Sequence, residues 1–302
     1  MISLPKKVRG YLQLVRLHNL VATVVTTLIG YLAVAVSLGK YGLSPAVPLS
    51  TVVLVAAGGY AINDYFDVEV DLINKPYRPI PSGLVSRKEA LVLSIILIVA
   101  GVSLATLSGP VSFIFASLNA LLLVMYSYRI KELGILGNIV VSFEGAASII
   151  YGGLALAEYE GALRYVAFTG IPALYAFLLL LSREIVKTIE DYIADAVRDV
   201  KSLPRVIGVN KSAIIAVVLL ALVVALSPLP YLLVGYGTMY LILTSLTDIV
   251  IAYSMIKLVS RKYKIEPEKV ASRVRTYLKV AIFIGSLAFL ADLVLRLLGL
   301  LC

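Results

Sequence analysis

Asn63, Asp64, Asp67 and Asp71 form an Asn-Asp-x-x-Asp-x-x-x-Asp run, and Glu184, Glu190, Asp191, Asp195 and Asp199 form a second acidic stretch further along. With Glu69, these two stretches hold nine of the chain's 18 acids. Positions 63, 67 and 71 recur every fourth residue, as do Lys187, Asp191, Asp195 and Asp199, so each set shares one face wherever the chain is helical. Like charges one turn apart repel, and a bound divalent cation removes that cost and suits hard carboxylate oxygens. Either stretch alone reads equally well as solvated loop acids. The same spacing twice, with bases between, points instead to a metal site. His18 is the only histidine and Cys302 the only cysteine, which excludes a zinc site of histidine and cysteine pairs. The metal must be held by oxygen, as magnesium, calcium and manganese are.

Bases complete the pattern. Lys75-Pro76-Tyr77-Arg78-Pro79-Ile80-Pro81 follows the first acidic run, and its prolines lower the ordering cost of aiming Lys75 and Arg78 at a ligand. Arg129, Lys131, Arg183 and Lys187 come from two other segments. Taken singly, each base reads as a membrane-orienting charge. Together, acids that hold a metal beside bases that pair phosphate oxygens make a diphosphate site.

The elements that position these groups are membrane helices. The chain is 60% hydrophobic and only 15% charged, a balance that calls for a lipid solvent. Nine apolar runs suit bilayer crossings: Leu17–Leu38, Ala46–Ile62, Ala90–Leu107, Val111–Tyr128, Ile135–Ala157, Leu163–Leu181, Ser212–Leu226, Leu229–Val259 and Tyr277–Leu300. The basic N-terminal residues precede a retained first helix, because no small-residue cleavage site follows. If the N-terminus is cytoplasmic, all of the 27 Lys and Arg residues except Lys40, Arg164 and Arg296 fall on the cytoplasmic side, as orientation rules require. The expected fold is therefore all-α, a polytopic membrane protein of nine transmembrane helices. It forms one domain over residues 1–302, with cytoplasmic acidic loops near 63–88 and 183–211. The net charge of +9 describes a basic face against anionic headgroups. Nucleic-acid binding is set aside for want of a soluble basic domain.

These residues resemble the UbiA superfamily of intramembrane aromatic and lipid prenyltransferases. Asn63, Asp64, Asp67 and Asp71 match its first signature, and Asp191 with Asp195 its second. Arg16-Leu17-His18-Asn19 and the Tyr126-Ser127 pair before Lys131 also look like family positions. The resemblance implies a prenyl transfer in which Mg2+ is held by Asn63, Asp67, Asp191 and Asp195, supported by Asp64 and Asp71. Lys75, Arg78, Arg129, Lys131 and Lys187 would neutralise the diphosphate of an isoprenyl donor, and Tyr60 and Tyr126 would stabilise an allylic cation. Arg16, His18 and Asn19 would meet the acceptor. Glu144, an acid within the fifth span, is a further acceptor-binding candidate, because carboxylates at that depth are costly to keep. Asp248 in the eighth span raises the same question.

Stretches such as Ile73–Pro81 and Ser182–Lys187 look closest to the archaeal digeranylgeranylglyceryl phosphate synthases within the superfamily. This implies O-alkylation of geranylgeranylglyceryl phosphate by geranylgeranyl diphosphate, in the cell membrane and on its cytoplasmic side, among membrane lipids as partners. An aromatic quinone precursor is the alternative acceptor. Outside this class stand a secondary transporter and an enzyme that cleaves a lipid diphosphate with water.

Overall fold

Wherever lipid surrounds a chain, its backbone polar groups must be satisfied internally, and a helix does so within one segment. In the computed structural model, which describes residues 5–40, 42–197 and 200–299, the described residues form helices and no strand. Arg198, Asp199 and Cys302 lie outside them. In chain order the helices are α1 (Lys6–Leu14), α2 (Leu17–Leu38), α3 (Ala46–Phe66), α4 (Val68–Asn74), α5 (Arg87–Ala105), α6 (Pro110–Tyr128) and α7 (Ile135–Tyr159). They continue as α8 (Gly170–Glu190), α9 (Tyr192–Val197), α10 (Leu203–Ile207), α11 (Val209–Leu226), α12 (Thr238–Val259), α13 (Arg261–Ile265) and α14 (Pro267–Leu297). Among the described residues, nine segments are long and apolar enough to cross a membrane, built on α2, α3, α5, α6, α7, α8, α11, α12 and α14.

Several boundaries differ from the sequence expectation; the sixth span, for example, runs to Glu190 rather than Leu181. The eighth span begins at Thr238 rather than Leu229. Pro228 and Pro230 lack the N–H a helix needs, so Pro230–Val234 makes a single π turn, ended by Gly235 at φ 81°. The ninth span starts at Pro267 rather than Tyr277. Proline is well placed in the first turn of a helix, and the polar stretch after it extends the helix beyond its apolar part. The N-terminal residues form a separate helix, α1, which the sequence reading missed. Arg16, at φ 51° and ψ 57°, turns the chain between α1 and α2. Its amphipathic pattern was the available signal: Gly10 and Leu14 are buried while Lys6, Lys7 and Arg9 stay exposed. That is the pattern of a helix lying in a membrane interface. A Cβ on Gly10 would come within 2.9 Å of Val85, so α1 is pressed onto the loop after α4.

Packing follows pairs of small residues. α3 packs along α5, α2 along α7 and α12 along α14, while α8 lies against α7, α11 and α14, and α14 closes back on α2. In membranes, close backbone approach replaces the hydrophobic drive between helices. At the α2–α7 contact a Cβ on Gly30 would fall 1.7 Å from the Ile149 carbonyl oxygen, and one on Gly152 would fall 2.0 Å from that of Thr27. Apolar side chains on the outer faces, such as Val92, Ile96 and Val99 on α5 and Ile242, Leu246 and Ile249 on α12, are exposed. They form the surface that lipid covers.

The bundle has two unlike ends. At one, Glu158 near the end of α7 accepts hydrogen bonds from the Val111 and Ser112 backbone N–H groups at 2.7 and 2.6 Å. It thereby caps α6, whose own N-cap, Gly109, has no side chain to do so. Glu158→Ala should lower stability by about 1–2 kcal/mol, the worth of a helix cap, and a thermal unfolding midpoint unchanged in detergent would contradict the capping role. The opposite end carries the acidic runs.

Candidate active site

The first acidic run keeps its helical face across a break in the helix. α3 ends at Asp67, yet Asp67 N–H donates to Asn63 C=O (3.0 Å), Asp71 N–H to Asp67 C=O (2.8 Å) and Lys75 N–H to Asp71 C=O (2.8 Å). The four-residue spacing is thus carried by i→i−4 bonds from α3 through α4. The second run behaves likewise: Asp191 N–H donates to Lys187 C=O (2.9 Å) and Asp195 N–H to Asp191 C=O (2.8 Å).

Charges from distant segments meet these faces. Arg16, aimed by its left-handed backbone, donates to Asp64 at 2.5 Å. Such a conformation costs a non-glycine residue about 1–3 kcal/mol and tends to persist at functional sites. Arg78 reaches the same Asp64 oxygen at 3.2 Å and Asp71 at 2.5 Å. Lys131, from the turn after α6, is ion-paired with Asp67, whose other oxygen accepts from the Asn63 amide at 2.6 Å. On the second run, Glu184 pairs with Arg183 and lies 3.9 Å from Lys187, while Glu190 holds Arg275 of α14 at 3.0 Å. Asp195 is buried, and Arg205 of α10 donates to its carbonyl oxygen at 3.3 Å.

Two side chains show that the runs face a common space. Tyr126, at the end of α6, lies within electrostatic reach of Asp67, Glu184 and Arg16. Lys75 feels Arg78, Asp71, Lys187 and Arg16 together; burial first, then the like charge of Arg78, lowers its pKa below the usual lysine value. An anion placed among these bases would relieve that repulsion.

The sequence-predicted residues separate into distinct roles. Asp64 and Asp71, expected to support a metal, are buried anchors for Arg16 and Arg78. Arg78 is therefore spread over two carboxylates. Arg16 also covers the ring of Tyr60, with its guanidinium carbon 5.2 Å from the centroid, and the Asn19 and Thr23 side chains approach the Tyr60 hydroxyl. His18 and Arg129 are exposed. Glu144 lies inside the bundle with its Oε1 buried and without a hydrogen-bond partner. Asp248 accepts from Ser227 Oγ at 2.6 Å. It lines a cavity of about 70 Å³ with Tyr175 and Phe289. Asn119 on α6, whose Oδ1 is buried and unpartnered, escaped the sequence reading, although a lone amide within an apolar span was a usable signal.

The donor set fits magnesium. Asn63, Asp67, Asp191 and Asp195 offer only hard oxygens. Among the described residues no three acids or histidines converge closely enough to enclose a metal ion. Magnesium is commonly held by one or two carboxylates and completed by substrate phosphates, so two separate acidic faces suit it better than a closed cage would.

The chain is similar to known proteins along most of its length. Residues 23–289 match the UbiA prenyltransferase family. The digeranylgeranylglyceryl phosphate synthase of Hyperthermus butylicus is 44% identical over 293 residues, which cover 94% of this chain and 97% of that one. That of Saccharolobus solfataricus is 42% identical over 284 residues, covering 93% and 96%. A solved structure of a digeranylgeranylglyceryl phosphate synthase superposes with a TM-score of 0.78 at 34% identity, covering 96% of this chain and 99% of that chain. A UbiA homolog from Archaeoglobus fulgidus bound to GPP and Mg2+ shares the fold at a TM-score of 0.61 and 17% identity, over 93% and 99% of the two chains. Two acidic faces at one end of a bundle of membrane helices, and relatives alike along nearly their whole length, lead to one conclusion: the chain is an integral membrane protein and belongs to the UbiA prenyltransferase family.

Proposed function

We propose that this protein transfers a geranylgeranyl group from geranylgeranyl diphosphate to the free hydroxyl of geranylgeranylglyceryl phosphate, forming an ether. The observation that carries the reading is the convergence at Tyr126 of Asp67, Glu184 and Arg16, which draws the ends of three spans around one space. The relatives alike at 42% and 44% identity support the choice of acceptor.

The residues then divide the work. Asn63 and Asp67 on one side, and Asp191 and Asp195 on the other, would hold Mg2+ between themselves and the diphosphate. Bound there, magnesium neutralises diphosphate oxygens and so favours their departure from C1. Lys75, Lys131 and Lys187 add fixed positive charge where negative charge builds up on the leaving group. Arg16 and Arg78, held by Asp64 and Asp71, keep their positions whether or not substrate is present, and such preorganisation costs no rearrangement during reaction. Arg16 is also placed to meet the acceptor phosphate, and Asn19 lies beside it. His18 and Arg129 stand at the rim, where an incoming headgroup first arrives. Tyr126 presents an aromatic ring beneath the charges, where an allylic cation at C1 gains from it. The apolar bundle excludes water that would otherwise capture that cation.

The active end faces the cytoplasm in this reading, because nearly every Lys and Arg lies toward it, and the N-terminus is cytoplasmic with it. The whole chain acts as one domain in the cell membrane. The test offers the purified protein geranylgeranylglyceryl phosphate and a hydroxylated aromatic acid in turn, with the same labelled donor. Mass spectrometry identifies the bond made. An ether on the glycerol is expected, and a carbon–carbon bond to the ring with no ether overturns the reading.

A further inference from the structure

Two registers fix the depth of Glu144 below the charged end. A Cβ on Gly145 would lie 2.4 Å from Leu180, so this part of α7 is level with Leu180 on α8. Glu184 is four residues nearer the charged end, about 6 Å at 1.5 Å per residue. Independently, Tyr151 of α7 stacks with Phe115 of α6, their ring centroids 6.3 Å apart. Glu144 lies about 10 Å from Tyr151 toward the charged end, and Tyr126 about 16 Å from Phe115 in the same direction. Both routes place Glu144 about 6 Å beneath the ring of charges, one helical turn down.

Its face is fixed as well. Ser148, one turn further along α7, donates to Thr26 of α2 at 2.7 Å, and Tyr151, two turns along, meets α6. Glu144 shares that side, so it faces the space between α2 and α6, whose ends carry Arg16 and Tyr126. The exposed stripe of α7, Leu136, Ile139 and Phe143, points elsewhere. Asn119 Oδ1 and Ser112 Oγ on α6 are also buried and unpartnered, but neither an amide nor a hydroxyl takes up a proton at neutral pH. A carboxylate is costly to keep at this depth, and no hydrogen bond to its buried Oε1 offsets that cost.

We infer that Glu144 takes the proton from the acceptor hydroxyl as the ether bond forms, a role that rests on the ether-forming reading above. The bond between C1 and the diphosphate oxygen breaks, and its electron pair leaves with the diphosphate. A lone pair of the acceptor oxygen makes the new bond to C1. The O–H electron pair stays on that oxygen, and the proton passes to the Glu144 carboxylate. C1 must lie just below the diphosphate with the isoprenoid chain directed into the bundle, which is the level of Glu144.

Glu144→Gln keeps the size and removes the base. Ether formation should fall at least ~10²-fold in kcat, the scale of general-base assistance, with the donor KM little changed. A second measurement separates this role from donor ionisation. A donor labelled at its bridging oxygen, bound beside an acceptor analogue lacking the hydroxyl, scrambles its label when C1–O cleavage reverses. Scrambling in Glu144→Gln should continue as in wild type, and Glu144→Asp should retain part of the transfer rate. Ether formation at the wild-type rate in Glu144→Gln overturns the inference, as does loss of scrambling together with transfer. In either case the ether made by the wild type leaves the proposed function standing. Wild-type protein that makes no ether overturns the acceptor reading and this inference with it.

Discussion

Asp67→Ala and Asp191→Ala are each expected to cut prenyl transfer by at least ~10²-fold, the scale of removing one preorganised electrostatic element from an active site. The two residues sit on separate helical faces, and among the described residues neither face encloses an ion by itself. Each substitution should therefore disable the shared site rather than half of it. Added Mg2+ should restore little, because the lost ligand is part of the geometry. Fold should survive in both, since Asp67 and Asp191 are half-buried at the end of the bundle rather than packed in its core. Product quantified by mass spectrometry across a magnesium titration checks the expectation. Near-normal transfer by either variant at saturating magnesium would remove that acidic face from the site.

Arg78→Met should destabilise the protein by about 3–5 kcal/mol, the cost of orphaning a buried ion-pair partner. Asp64 and Asp71 are 4% and 3% exposed. Asp64 would keep Arg16, but Arg78 supplies the only ion pair that reaches Asp71 among the described residues. The expected consequence is loosening of α4 and of the proline-rich loop that carries Lys75. The double variant Asp71→Asn with Arg78→Met removes the stranded charge along with its partner, so it should recover part of the loss. Thermal unfolding of the three proteins in one detergent makes the comparison. A double variant less stable than Arg78→Met alone would show that Asp71 is not the stranded group.

The chemistry was legible because it is written in local spacing. Asn63, Asp67 and Asp71 are neighbours on any helix that contains them, and Lys187, Asp191 and Asp195 repeat the device, so no knowledge of tertiary structure was needed to group them. Apolar runs of bilayer length gave the helices for the same reason. What local spacing misjudged was where helices begin and end near proline and charge. The eighth and ninth spans show this, and so does α1, short and half polar beside a much stronger apolar run.

Sequence by itself determined the apolar spans, the oxygen-only donor set and the two acidic faces, because each depends on composition or on residues within two helical turns. Tertiary structure decided the partners. Arg16 and Asp64 are 48 positions apart, and Lys131 and Asp67 are 64. An ion pair across such a separation follows from how helices pack, and no periodicity encodes it. Packing likewise brought Arg16 and Arg78 onto Asp64 and Asp71, burying both carboxylates beside guanidinium groups that the motif's spacing does not specify. It also set Glu144 one turn beneath the charged ring. Its depth rests on the contacts α7 makes with α8 and α6, which exist only once the helices have come together.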